Sequence, residues 1–136
     1  MSESLRVGVI GAGSWGTTLA KISAENGHPT LLWARREEQA ARIAEERCNA
    51  EYLPNIDLPL NLETTADLQR IAEVSDLLVL VVPSHGLREI ARQLGEFVDG
   101  SQCLVHATKG LEQGTHRRMS EVIREETCLR KIGVIA

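Results

Sequence analysis

Three absences narrow the 136-residue sequence before anything in it is interpreted. The longest apolar run, Leu77 to Pro83, falls far short of the roughly 18 to 20 residues a membrane-spanning helix requires, and Met1 to Leu5 carries no basic signal region. Neither membrane insertion nor export is indicated, and a cytoplasmic location is the expectation. Cysteine is scarce: Cys48, Cys103 and Cys128 are odd in number and lack a C-x-x-C pair, which argues against a disulfide framework or a zinc site. They read as reduced structural thiols, and His28, His106 and His116 have no ligand-like spacing with them or with one another. Basic charge is also in deficit, with 15 Lys and Arg against 19 Asp and Glu, a net of −4. Nucleic-acid partners are therefore not expected, since such binding needs a basic surface to displace counterions. Any anion site has to be local.

What is present reads as one domain with 43 % apolar and 25 % charged residues, without repeats, low-complexity tracts or an internal linker. Apolar, β-rich runs at Leu5 to Ile10, Thr30 to Ala34, Leu77 to Val82, Gln102 to Ala107 and Ile132 to Ile135 alternate with helical patterns. The runs are nearly continuous, as in parallel strands covered on both faces, so the fold class is α/β with a doubly wound, mainly parallel sheet. A first helix is expected from Ser14 to about Asn26, closed by Gly27 and Pro29. A charged, more exposed helix is expected from Arg36 to Arg47, where Glu38 precedes Arg42 by four residues. Leu87, Ile90, Ala91, Leu94 and Val98 mark an apolar stripe, as do Met119, Val122 and Ile123. The prolines and asparagines between Cys48 and Leu62 suggest an irregular loop, with a weakly signalled strand at Leu62 to Thr65. Ile132 to Ala136 reads as a buried strand with nothing behind it, so residues 1–136 are expected to be a piece cut from a longer protein.

Chemistry enters at Gly11-Ala12-Gly13-Ser14-Trp15-Gly16, a G-x-G-x-x-G that follows a predicted strand and opens a predicted helix. In that context it is the turn of a Rossmann-type dinucleotide site. Gly11 allows the tight turn, Gly13 lets the backbone approach a pyrophosphate, and Gly16 permits close helix-to-strand packing. The free amides and positive end of the helix then face the anion, with Ser14 and Trp15 contributing, Trp15 more through its amide than its ring. At the end of the second strand, where an NAD-specific fold carries an acidic residue for the ribose hydroxyls, stand Arg35 and Arg36. Guanidinium groups there would pair with a 2′-phosphate, so NADP(H) is preferred and NAD(H) remains open; Glu37 and Glu38 follow as alternative ribose acceptors or helix caps.

These segments together resemble the bacterial NAD(P)-dependent glycerol-3-phosphate dehydrogenases. Gly11 to Ala20 resembles the family's fingerprint, and Leu32-Trp33-Ala34-Arg35-Arg36 its second-strand end. Asn49 with Tyr52-Leu53-Pro54 is similar to its N-x-x-Y-L-P loop, Val82-Pro83-Ser84 to its V-P-S, and Thr108-Lys109-Gly110-Leu111-Glu112 to its T-K-G-(aliphatic)-E segment. The loop departs from the pattern in having Asn55 where glycine commonly follows the proline; Asn is the next-best left-handed residue. The resemblance implies reversible, NAD(P)H-dependent reduction of glycerone phosphate to sn-glycerol 3-phosphate for glycerophospholipid synthesis. It implies that Ser14, Trp15, Arg35 and Arg36 hold the cofactor and that Lys109 touches cofactor and substrate. An ammonium after the fifth strand also suits a dianionic phosphate or a polarised carbonyl. The proton-donating lysine is then expected beyond Ala136, in a helical second domain, so this chain alone should bind cofactor without turnover. A homodimer of the intact enzyme is compatible with the resemblance.

Two rivals stand beside this reading. Another two-domain dehydrogenase, of the ketopantoate reductase or β-hydroxyacid dehydrogenase type, shares the cofactor module. A non-catalytic NAD(P)H-sensing module would share it too. His85, after Pro83-Ser84, reads as a loop histidine near the ligand-binding sheet edge, and Asp76 as a turn or capping residue at the opposite end.

Overall fold

The computed structural model describes residues 5–135. Strands β1 (Val7–Ile10), β2 (Thr30–Trp33), β3 (Leu62–Thr65), β4 (Leu77–Leu80), β5 (Cys103–His106) and β6 (Lys131–Val134) form one six-stranded sheet in the order β3-β2-β1-β4-β5-β6. Every pairing is parallel. The doubly wound, Rossmann-type reading therefore holds, and the strand order reverses between β1 and β4, where such sheets open a crevice at their carboxyl edge.

Side-chain alternation sends the central strands into two cores. Val7, Val9, Leu32 and Val79 pack with α1 (Ser14–Glu25) and α2 (Glu37–Glu46) on one face. Ile10, Leu31, Trp33, Leu78 and Leu80 pack on the other with α3 (Leu68–Val74), α4 (Ser84–Gly95) and α5 (Met119–Glu126). Both faces of the central strands are thus dry, which is why they read as unbroken apolar runs rather than as an alternating pattern.

The helices end where local chemistry dictates. The first stops at Asn26, whose side-chain amide donates to the Ile22 carbonyl at 3.0 Å, and Gly27 takes φ +90°. Helix α2 buries only Ala40 and Ile43, in keeping with an exposed helix, but its expected Glu38–Arg42 pair is not made. Arg42 instead reaches Glu46 at 3.2 Å, while Glu38 turns back to Arg36 at 3.5 Å. Asn55 has φ 64°, so the residue that departs from the loop pattern adopts the left-handed conformation glycine would supply.

Two expectations need correction. The strand at the chain's end is not buried: in β6 only Ile132 is half-covered, and Val134 is 64 % exposed. It is an edge strand paired on one side alone, to β5, and Ala136 lies outside the described residues. The sequence reading also named no helix at Leu68–Val74. Asp67 starts it by accepting from the amides of Gln69 (3.0 Å) and Arg70 (3.4 Å), and Leu68, Ile71 and Ala72 are its buried face. Replacing that cap, Asp67→Ala, is expected to cost about 1 kcal/mol. A urea titration checks this, as a lower midpoint at unchanged slope.

Candidate cofactor site

The turn after β1 is built by backbone approaching backbone. Gly11 has φ +125°, and a Cβ there would overlap the Val81 carbonyl beyond β4. A Cβ on Gly16 would overlap the Gly11 carbonyl, so the first turn of α1 sits directly on the strand end. Gly13 differs, because nothing lies within 4 Å of where its Cβ would be. Its open side adjoins a cavity of about 340 Å³ lined by Gly11, Ala12, Gly13, Trp33, Arg35, Arg36, Gln39, Tyr52 and Val81 to Pro83. As N-cap of α1, Gly13 offers no side chain to the first helical amides. Free amides, a positive helix end and a bare backbone suit a pyrophosphate, so the residues present fit a dinucleotide.

Arg35 and Arg36 are both exposed at the rim of this cavity, but their surroundings differ. Arg36 is shared by Glu38 (3.5 Å) and Glu51 (3.7 Å). Arg35 lies over Gly86 in the first turn of α4, and among the described residues no carboxylate stands within ion-pairing distance of it. Trp15 is 50 % exposed, which rules out a core role, and Ser14 Oγ donates to the Tyr52 carbonyl at 2.7 Å.

That last bond belongs to a buttress that sequence reasoning missed. Asn49, 2 % exposed, donates through Nδ2 to the Ala12 carbonyl (2.9 Å) and to Thr17 Oγ1 (2.8 Å). Its own carbonyl accepts from the Leu53 amide at 2.7 Å, closing the loop that delivers Tyr52 to the cavity. The signal was the N-x-x-Y-L-P spacing; a buried asparagine amide beside a glycine-rich turn is its physical content. Gln39 was missed as well, since nothing in an exposed helix marks which turn faces a cleft.

Lys109 is exposed just after β5 and lines a different cavity, of about 500 Å³, with His106, Thr108, Arg118, Arg124 and the β6 strand. The structure therefore gathers Gly11, Gly13, Arg35 and Arg36 around one cavity and puts Lys109 at the neighbouring stretch of the same carboxyl edge. Thr108 Oγ1 donates to the Val82 carbonyl at 2.6 Å, tying that loop to the end of β4. His106 is buried, with Nδ1 3.2 Å from the Thr108 carbonyl. His85 is exposed in the first turn of α4 rather than in a loop. Asp76 sits at the opposite sheet end, where it accepts from the Arg6 amide (3.0 Å) and pairs with its guanidinium (3.1 Å). Among the described residues, no helix is long and apolar enough to cross a membrane.

Comparison with known proteins gives a consistent result. Residues 6–136 match the family model described as the NAD-dependent glycerol-3-phosphate dehydrogenase N-terminus. The glycerol-3-phosphate dehydrogenase [NAD(P)+] of Halalkalibacterium halodurans is 44 % identical over 133 residues, covering 96 % of this chain and 38 % of that protein. The chain thus spans little more than a third of the length of such curated relatives. The crystal structure of the Coxiella burnetii glycerol-3-phosphate dehydrogenase superposes with a TM-score of 0.87 at 30 % identity, over 96 % of this chain and 39 % of that one. A ketopantoate reductase from Ralstonia eutropha reaches a TM-score of 0.72 at 18 % identity, over 96 % of this chain and 40 % of that one, a likeness of fold alone.

Two predictions follow from the buttress and from the buried histidine. Asn49→Ala leaves the Ala12 carbonyl only the long bond from the Gln39 side-chain amide at 3.5 Å and should cost roughly 1 to 3 kcal/mol, and Asn49→Asp should cost more because it sets one acceptor against another. Chemical denaturation of both variants measures the order. Burial lowers the pKa of His106 below its ordinary 6.5, opposed by its bond to the Thr108 carbonyl. The unfolded chain then binds a proton the folded one refuses, so this contribution is complete above about 6.5 and is lost as pH falls through the window beneath it. His106→Gln should flatten the acid side of a stability-versus-pH profile; an unchanged slope would remove the assignment.

Proposed function

Because the chain belongs to the NAD-dependent glycerol-3-phosphate dehydrogenase family, through that family's N-terminal domain, we propose that residues 1–136 are the cofactor-binding part of an enzyme that reversibly reduces glycerone phosphate to sn-glycerol 3-phosphate. When bound, the nicotinamide supplies the hydride. The chain's own residues hold and aim it. Gly11, Gly13 and Gly16 shape the turn, and the amides around Ser14 and Trp15 meet the pyrophosphate. Lys109 reaches from the loop after β5 toward the reacting end, where its ammonium attracts the substrate phosphate or polarises the ketone. A helical second domain carries the proton-donating lysine, and the complete enzyme works in the cytoplasm as a homodimer in glycerophospholipid synthesis.

The cofactor preference proposed is NADP(H) over NAD(H). The observation that supports it is the unequal state of the two arginines at the cavity rim. Arg36 is already engaged by Glu38 and Glu51, whereas Arg35 faces the cavity with its charge uncompensated among the described residues. A 2′-phosphate would pair with the Arg35 charge in a geometry the planar guanidinium matches.

Titration with NADPH and with NADH, followed by Trp15 and Trp33 fluorescence, tests the proposal. NADPH should bind more tightly, and Arg35→Ala with Arg36→Ala should weaken it roughly tenfold or more, the scale of a charge-assisted hydrogen bond, while NADH changes little. Equal affinities that the substitutions leave alone would retire the arginine reading. Absence of binding by either cofactor would count against the glycine turn as the site.

A further inference from the structure

The loop that carries Lys109 is tied down on both sides. Upstream, Thr108 is bonded to the end of β4. Downstream, Glu112 is gripped by Arg88 of α4 through two parallel bonds, Nε to Oε2 at 2.6 Å and Nη2 to Oε1 at 2.9 Å. Thr115 Oγ1 donates to the same carboxylate at 2.6 Å, and the Glu112 backbone closes the loop by bonding Arg117 and His116, each at 2.9 Å. Between the two ties lie only Lys109, Gly110 and Leu111.

Arg88 does more than pair with one residue. Its Nη1 donates to Glu126 at 2.6 Å and its Nη2 to Glu125 at 2.7 Å, so one half-covered guanidinium gathers carboxylates from the loop and from α5. Arg92 and Arg117 also reach Glu126 and Glu125, but among the described residues Arg88 is the only ion-pair partner of Glu112. Its hydrogen bonds, with that of Thr115, hold the Glu112 carboxyl down to about 2. Removing the guanidinium would leave three carboxylates crowded together, with Glu112 held against their repulsion by Thr115 alone among the side chains described. Lys109 has no ion-pair partner among the described residues, so no ion pair fixes its ammonium and the loop's backbone sets where the side chain starts.

We propose that Arg88 is a positioning residue: by holding Glu112 it fixes the Lys109–Glu112 loop, and so sets where the Lys109 ammonium meets the substrate. This rests on the reading of Lys109 given above. Arg88 touches no reacting atom. A lysine at position 88 would act as a point charge and could not make the fork to Glu112 while also serving Glu125 and Glu126.

The test uses the two-domain enzyme with Arg88→Met, Arg88→Lys, Glu112→Gln, Lys109→Met and the Arg88→Met/Lys109→Met pair. Amide hydrogen exchange at residues 109–112 is read beside KM and kcat for glycerone phosphate. Arg88→Met should speed exchange in that loop and raise KM about tenfold, with β1 and β4 exchange unchanged, and Arg88→Lys and Glu112→Gln should fall between it and the parent. On the Lys109→Met background, Arg88→Met should add almost nothing, because both act through one group. Should Arg88→Met fail to fold, Arg88→Lys and Glu112→Gln carry the same comparison. Parent-like exchange and KM, or effects of Arg88 and Lys109 that simply add, would overturn the positioning role. Lys109→Met with an unchanged KM would overturn the reading of Lys109 first and the role of Arg88 with it, and that result is separate from the exchange data.

Discussion

The whole carboxyl edge depends on two backbone contacts without room for a side chain, Gly11 against the Val81 carbonyl and Gly16 against the Gly11 carbonyl. They bring the first turn of α1 down onto the point where the sheet's order reverses, and that fixes three things together. The helix axis aims its amide end at the crevice. The Ala12 carbonyl turns toward Asn49, which bonds it and Thr17 in one step. The Gly13 face is left open to the cavity. Bulk at either contact would push the helix off the strands, since close-packed interiors have no slack with which to absorb a methyl group.

Much of this was legible because period and punctuation agree. Strands dry on both faces give continuous apolar runs, and Gly27 with Pro29 closes α1 where the chain must turn back. What stayed hidden was of two kinds. Helix α3 is only seven residues long, too short for a periodic signal, and its cap, Asp67, looks like any loop aspartate until Leu68, Ile71 and Ala72 are seen on one face. The edge strand β6 misled in the other direction: Ile132 and Val134 have strand composition, but composition does not reveal whether a second face is covered.

The site divides along the same line. The glycine turn and the arginine pair are each contiguous in sequence and each follow a strand, so their place at the sheet's carboxyl edge could be read from spacing. Asn49 and Tyr52 stand more than thirty residues from the turn they support, and the Arg88–Glu112 bond joins residues 24 apart in sequence. Long-range hydrogen bonds leave no periodic trace; motif context pointed to Asn49 and to Glu112, but nothing pointed to Arg88 as the partner of Glu112.

A chain with net charge −4 that belongs to a family binding an anionic nicotinamide dinucleotide must keep its carboxylates from cancelling the local positive field. The structure does this by engagement. Glu112, three residues after Lys109, would be the nearest threat in sequence, yet its carboxylate is committed to Arg88 and Thr115. Glu125 and Glu126 are drawn into the same cluster. At the other end of the edge the balance is reversed: Glu38 and Glu51 engage Arg36 and leave Arg35 uncompensated among the described residues. Salt screens exposed charges that lie beyond about 10 Å, and a carboxylate nearer than that is offset by the guanidinium it is paired with, so it contributes little to the field at a cavity rim. Local cations therefore persist on an acidic domain because the acids beside them already have partners.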